Sequence, residues 1–141
     1  MQQINFHYEN DFSLENESQF TEWIKEVITS EDKKLSEINY IFCDDEYLHK
    51  INLEFLNHDT YTDIITFDNC VGNNIQSDIF ISTERVADNA LEFNVSFMEE
   101  LKRVMAHGIL HLCGYKDKTD QEAQLMRAKE NEKINMFHVE Q

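Results

Sequence analysis

The sequence predicts one α+β domain over residues 1–141, in which a mixed sheet of about four strands packs in two layers against about five helices. A chain of this length can bury a substantial core. An apolar content of 41% and ten phenylalanines are typical of packed proteins. Strand-like and helix-like patterns alternate in the first half of the chain, whereas the second half is helical throughout.

The first half of the chain predicts four strands and two helices. Strands are predicted where apolar and β-branched residues alternate, and helices where apolar residues recur every three or four positions. In chain order these elements are a strand at 2–8, a helix at 18–30, a strand at 37–43, a helix at 46–56 and strands at 63–68 and 75–82. A turn containing Gly72 separates the last two strands, which we expect to pair with each other.

The second half of the chain predicts three helices, at 84 to about 93, at 97–113 and at 121–136. We expect Thr83 to cap the first of them. Ser96 with Glu99 three residues later has the pattern of a capping box for the second. Thr119 precedes the third, and Gly114 suits the left-handed residue at the end of the second helix because it lacks a Cβ atom.

Composition restricts the function classes. The chain has no run of 18 apolar residues and no basic leader followed by an apolar segment, which argues against a membrane span or a secretory signal and favours the cytoplasm. Its three cysteines are widely spaced and predict free thiols. The formal charge of −16 disfavours nucleic acid as a partner on composition alone, unless a positive patch or a bound metal ion reverses the field locally.

The strongest functional signal is a pair of histidines, His107 and His111. Residues four apart share one face of a helix, so both imidazoles can reach one metal ion. The chain turns at Gly114, and Asp117 can return as a third ligand. Three protein ligands with an open fourth position are typical of catalytic metal sites. Apolar residues around the histidines predict that this helix is buried: Val104, Met105, Ala106, Ile109 and Leu110.

The pattern also has a structural interpretation, in which two core histidines are bonded to carbonyls or carboxylates and bind no metal. Cys113 is not counted as a ligand, because it lies about 200° around the helix from His111. It is expected to pack on the reverse face.

The segment from His107 to Tyr115 resembles the signature of the YbeY family of metal-dependent, single-strand-specific endoribonucleases, which act in ribosomal RNA maturation. Further segments of that family are resembled by residues 52, 55, 59, 62–67 and 77–82, and the resemblance covers nearly the whole chain. It implies one zinc ion held by His107, His111 and Asp117, with a metal-bound water as the attacking group. It also implies ribosomal RNA as substrate, and the small ribosomal subunit or its proteins as partners.

Three departures from the family pattern affect the site. Lys116 stands where the family usually has an aspartate. Asp117 stands where the family usually has a third histidine, which permits a divalent metal other than zinc. Leu56 stands where the family has an arginine near the site. Arg103, Lys116 and Lys118 are therefore the candidate substrate-binding cations.

Thr66 and Asp78 are the candidates for orienting the two imidazoles through their second ring nitrogens.

Two alternative functions remain at this stage. One is a non-catalytic ribosome-assembly or RNA-binding module with a structural metal, which Leu56 and the acidic charge favour. The other is a peptidase or small-molecule metallohydrolase. Gly108 argues against a peptidase, because zinc peptidases carry a glutamate general base at the corresponding position.

Overall fold

The computed structural model describes residues 3–137 and contains the nine predicted elements in the predicted order. Residue 2 of the first predicted strand lies outside the described residues. The elements are β1 Gln3–Tyr8, α1 Glu17–Ser30, β2 Lys34–Cys43, α2 Asp45–Leu56, β3 Ile64–Asp68, β4 Asn74–Ser82, α3 Thr83–Phe93, α4 Phe97–Leu112 and α5 Asp120–Ile134. The prediction of an α+β fold with four strands and five helices is confirmed.

The four strands form one mixed sheet in the order β1-β2-β4-β3. The β1–β2 and β2–β4 pairs are parallel, and the β3–β4 pair is antiparallel, as expected for two strands joined by a short turn. Strand β3 therefore forms one edge of the sheet. The site described below lies at this edge.

The main core lies between one face of the sheet and helices α1 and α4. Its strands contribute alternate residues and its helices contribute their apolar stripes, so burial follows the periods of both elements. The buried side chains include Ile38, Tyr40 and Phe42 of β2, Ile79 and Ile81 of β4, Trp23 and Ile24 of α1, and Leu101, Met105 and Ile109 of α4.

Helix α2 packs on the opposite face of the sheet, near the β3 edge. Leu48 and Ile51 of this helix form a second, smaller core with Cys43 and Ile65. Strand β3 is thus held between two helices, with Ile64 and Thr66 toward α4 and Ile65 toward α2.

The helix caps agree only in part with the predictions. Ser82, not Thr83, caps α3, and its hydroxyl accepts from the backbone N–H of Arg85. Ser96 caps α4 by accepting from the N–H of Glu99. A reciprocal capping box is recorded at α5, where Thr119 and Glu122 satisfy each other's backbone N–H groups.

Two predictions from composition can be compared with the structure. The three cysteines, at positions 43, 70 and 113, are free. Within residues 3–137, no helix combines the length and the apolar character that crossing a membrane requires.

Candidate metal centre

His107 and His111 lie one turn apart on α4 and direct their Nε2 atoms toward each other, 2.9 Å apart. The Oδ2 atom of Asp117 lies 3.3 Å from Nε2 of His107 and 3.4 Å from Nε2 of His111. The structure therefore brings together the three residues that the sequence predicts. Within the described chain, they form the one His, Cys, Asp and Glu group whose geometry could hold a metal ion.

The turn after α4 delivers Asp117. Gly114 has a φ of 106°, in the left-handed region that glycine adopts without strain. The N–H of Gly114 donates to the carbonyl of His111, and the N–H of Tyr115 donates to that of Leu110. These bonds close the helix end and reverse the chain, so that residue 117 returns beside the two imidazoles. The predicted role of Gly114 is confirmed.

The separations of the three donor atoms fit a small tetrahedral ion. Zinc binds nitrogen and oxygen ligands at about 2.0–2.2 Å, so two of its ligand atoms lie roughly 3.3 Å apart. The observed separations of 2.9, 3.3 and 3.4 Å between the donor atoms are close to this ligand–ligand distance. The same donor set also suits other divalent metals, since two imidazoles and one carboxylate are not selective for zinc.

The second nitrogen of each imidazole is engaged, and this fixes the tautomer of His111. Its Nδ1 lies 2.9 Å from the backbone oxygen of Tyr115. A carbonyl oxygen only accepts, so this Nδ1 carries the hydrogen and the neutral ring leaves Nε2 free to bind a metal. Nδ1 of His107 lies 2.7 Å from Oε2 of Glu130, and a carboxylate imposes the same arrangement.

Glu130 is a buried residue of α5, and three cationic or protonatable groups surround its carboxylate. Besides His107, Nη1 of Arg103 lies 3.1 Å from Oε1, and Nη1 of Arg127 lies 3.6 Å from it. Burial alone would raise the pKa of Glu130, but the bonds to His107 and Arg103 outweigh it and hold that pKa below its usual value. Burial also lowers the pKa of His107, yet the bond to Glu130 raises it more.

The prediction that Thr66 or Asp78 orients the imidazoles is wrong. Asp78 projects to the face of the sheet away from α4, where its Oδ1 accepts from the side-chain amide of Asn39. Thr66 faces α4, but its methyl group packs toward Gly108. The orienting groups are Glu130 and the carbonyl of Tyr115. No local pattern reveals Glu130, which lies 23 residues from His107, and a backbone carbonyl has no signature in sequence.

The three candidate substrate-binding cations differ in their surroundings. Arg103 is bonded to Glu130 and lines a small cavity of about 180 Å³ beside His107. Lys116 and Lys118 are exposed on either side of Asp117. The two lysines are therefore available to a ligand at the site, whereas the guanidinium of Arg103 already has a carboxylate partner.

The three donor residues face a larger cavity of about 470 Å³ between α4, β3 and the segment that follows α2. Leu56 forms part of its lining, together with His58, Thr60, Thr62 and Asp63. Asp63 is mostly buried, and burial raises its pKa even though the charge of His107 lowers it in part.

Gly108 lets α4 approach β3 closely behind the histidines. A Cβ atom at position 108 would lie 2.9 Å from Cδ1 of Ile64 and 3.2 Å from Cγ2 of Thr66. Any larger residue would therefore push against the side chains of Ile64 and Thr66.

The fold and the site together define an α+β domain with a three-donor group, on an H-x-x-x-H helix and the loop after it, that could hold one metal ion. The chain belongs to the YbeY endoribonuclease family: the family model described as Endoribonuclease YbeY matches residues 3–138. The resemblance stated from the sequence motifs is confirmed.

Individual relatives align with this chain over almost its full length. Endoribonuclease YbeY of Flavobacterium johnsoniae is 72% identical over 138 residues, which cover 98% of this chain and 99% of the relative. Endoribonuclease YbeY of Christiangramia forsetii is 64% identical over 139 residues, covering 99% of this chain and 97% of the relative. The solution structure of TM1509 from Thermotoga maritima superposes with a TM-score of 0.71 at 28% identity, covering 95% of this chain and 88% of that one.

Proposed function

We propose that this protein is a metal-dependent endoribonuclease that hydrolyses single-stranded RNA during ribosomal RNA maturation. The observation that carries the proposal is the convergence of His107, His111 and Asp117 beside an open cavity. Membership of the YbeY family supports RNA as the substrate. This role is carried out where ribosomes are assembled, so we propose a cytoplasmic location.

His107, His111 and Asp117 are the proposed ligands of one ion, with zinc as the first candidate. A divalent ion bound there would supply Lewis acidity and would lower the pKa of its bound water to about 7, so hydrolysis at neutral pH would need no separate base. Gly108 offers no carboxylate next to the first histidine, in keeping with that chemistry. The protein's own contribution is to fix the imidazoles in the metal-binding tautomer and to leave one side of the site accessible.

The shape of the site favours an unpaired RNA segment. The donor atoms lie in a concave site, and a flexible single strand can bend into it more easily than a stacked duplex. Lys116 and Lys118, which flank Asp117, are proposed to contact the RNA backbone, and Arg103 would do so only by leaving Glu130. Because the chain carries a net charge of −16, we propose that the small ribosomal subunit or its proteins assist in binding RNA.

The test is cleavage of a single-stranded RNA oligonucleotide by the purified protein with zinc added back. The wild type should cut the RNA, and both a chelator and His111→Ala should abolish the cutting, with the variant still folded by circular dichroism. His7→Ala is the matched control, because His7 is an exposed histidine on β1 at the far edge of the sheet.

Two results would contradict the proposal. If the wild type cuts no RNA and His111→Ala unfolds the domain, the metal is structural and the protein is a non-catalytic binding module. If a peptide library is cleaved and RNA is not, the site belongs to a peptidase.

A further inference from the structure

The segment 57–62, between α2 and β3, is anchored to α2 through alternate residues. Oδ1 of Asp59 lies 2.8 Å from Nε2 of His49 on the helix. Tyr61 stacks on the same imidazole with ring centroids 4.3 Å apart, and its hydroxyl donates to Glu46 over 3.0 Å. One side of this segment is therefore occupied by contacts with α2.

The intervening residues, His58, Thr60 and Thr62, line the cavity that faces the proposed metal ligands. Buried Asn52 holds this side of the segment in place: its side-chain amide donates to the carbonyl of Thr60 over 2.8 Å and to its Oγ1 over 3.2 Å. The backbone N–H of His58 donates to the carbonyl of Asn52 over 3.1 Å. These bonds hold the backbone of the segment against α2, so that His58, Thr60 and Thr62 are presented to the cavity.

Two of these side chains, His58 and Thr60, offer hydrogen-bond donors to a ligand, whereas the hydroxyl of Thr62 already donates to the carbonyl of Ile64 over 3.4 Å. Oγ1 of Thr60 accepts from Asn52, so its own hydrogen is free to be donated. Within residues 3–137, no hydrogen bond engages the imidazole of His58. Apart from the two proposed metal-binding histidines, His58 is the one side chain of this lining that can carry a positive charge. Anionic ligands are stabilised by such groups, and most of the remaining surface charge is negative.

We propose that the wall formed by His58 and Thr60 binds a backbone phosphate of the RNA strand while a neighbouring phosphodiester lies at the metal ligands. The inference rests on the proposed function, because it assumes a phosphodiester substrate. His58 then acts as a substrate-binding residue that the motif around His107 does not reveal. Its imidazole can donate a hydrogen bond in either protonation state.

The experiment measures binding and cleavage separately. For binding, a fluorescein-labelled single-stranded RNA is titrated with protein kept metal-free by a chelator, which prevents cutting, and the anisotropy is recorded. The same RNA is used for steady-state cleavage with the zinc-loaded protein. His58→Ala should weaken binding and raise KM by about fivefold, with kcat nearly unchanged, since one hydrogen bond to a ligand is lost. His58→Arg should bind at least as tightly as His58, and His7→Ala should have no effect.

The outcomes separate this inference from the proposed function. If the wild type cuts RNA but His58→Ala binds and cuts like the wild type, the phosphate wall is wrong and the endoribonuclease proposal stands. If RNA binds and His58→Ala weakens binding, but nothing is cut, the wall stands and the catalytic proposal is wrong. If RNA neither binds nor is cut, both are overturned.

Discussion

Glu130 and Lys133 are both buried charged residues of α5, three positions apart, yet they serve different parts of the molecule. The carboxylate of Glu130 faces α4, where it meets Arg103 and Nδ1 of His107. The ammonium of Lys133 faces α1, where it lies 2.7 Å from Oε2 of Glu31 and donates to the hydroxyl of Ser30 over 2.8 Å. Helix α5 thus contacts the candidate metal centre through Glu130 and contacts the end of α1 through Lys133.

The difference shows that a buried ion pair can position a functional side chain or only hold two helices together. The buried residues of α5 are Met126, Glu130 and Lys133. Ion pairs therefore hold this helix in place as much as apolar contacts do. All three hydrogens of the Lys133 ammonium have oxygen partners, those of Glu31, Ser30 and Glu132. We expect mutations of the two residues to separate metal affinity from stability.

Glu130→Gln should produce the largest effect, a loss of metal affinity of about 10- to 100-fold. If the amide NH₂ faces His107, Nδ1 must accept and the hydrogen moves to Nε2, which then cannot bind a metal. If the amide oxygen faces His107 instead, the NH₂ group is directed at the guanidinium of Arg103. Zinc affinity is measured by competition with a chromophoric chelator. Wild-type affinity in this variant would rule out the orienting role of Glu130.

Lys133→Met is the matched control, and it should lower the stability of the protein while leaving its zinc affinity nearly unchanged. The free energy of unfolding should fall by about 2 kcal/mol, because a buried charge pair is broken while Glu31 keeps the hydroxyl of Tyr115 as a partner. Zinc affinity should stay within about twofold of wild type, since no orienting contact is lost. Urea denaturation at constant m-value measures the first quantity. A parallel loss of zinc affinity would show that the two networks are coupled.

Glu31 should make the free energy of unfolding depend on pH, with a smaller effect of about 1 kcal/mol. Burial alone would raise the pKa of Glu31, but the bonds from Lys133 and Tyr115 lower it below its ordinary value of 4.5. A carboxylate whose pKa is lower in the folded state than in the unfolded state stabilises the protein at pH values above its unfolded-state pKa. This stabilisation is lost as the pH falls through the folded-state pKa. Stability should therefore decrease below about pH 4.5, and less steeply in Glu31→Gln. Equal slopes in urea titrations of both proteins would contradict this assignment.

Most of the fold could be predicted from sequence because its elements carry clear periodic patterns. The helix of His107 has a continuous apolar stripe, and β2 and β4 alternate, so their positions were predicted to within three residues. The group that could hold a metal ion was predictable as well, because His107, His111 and Asp117 lie within one helix end and its turn. These predictions depend only on contacts that are local along the chain.

The remaining features depend on contacts between distant segments. The sheet order, with β4 between β2 and β3, is not encoded in any single strand. Glu130 lies on a helix whose outward and inward positions are both charged, so no periodicity marks it as buried. The cavity wall at His58 likewise follows from how Asn52 and His49 hold a polar segment that resembles an ordinary loop in sequence.

The close contact of Gly108 with β3 limits the chemistry that this helix can perform. An H-E-x-x-H peptidase places a glutamate general base immediately after its first histidine. Here even a methyl group in that position would lie 2.9 Å from Cδ1 of Ile64 and 3.2 Å from Cγ2 of Thr66, so a glutamate could enter only if these two side chains shifted. The packing of Ile64 and Thr66 against position 108 therefore disfavours the glutamate that a peptidase of this type needs.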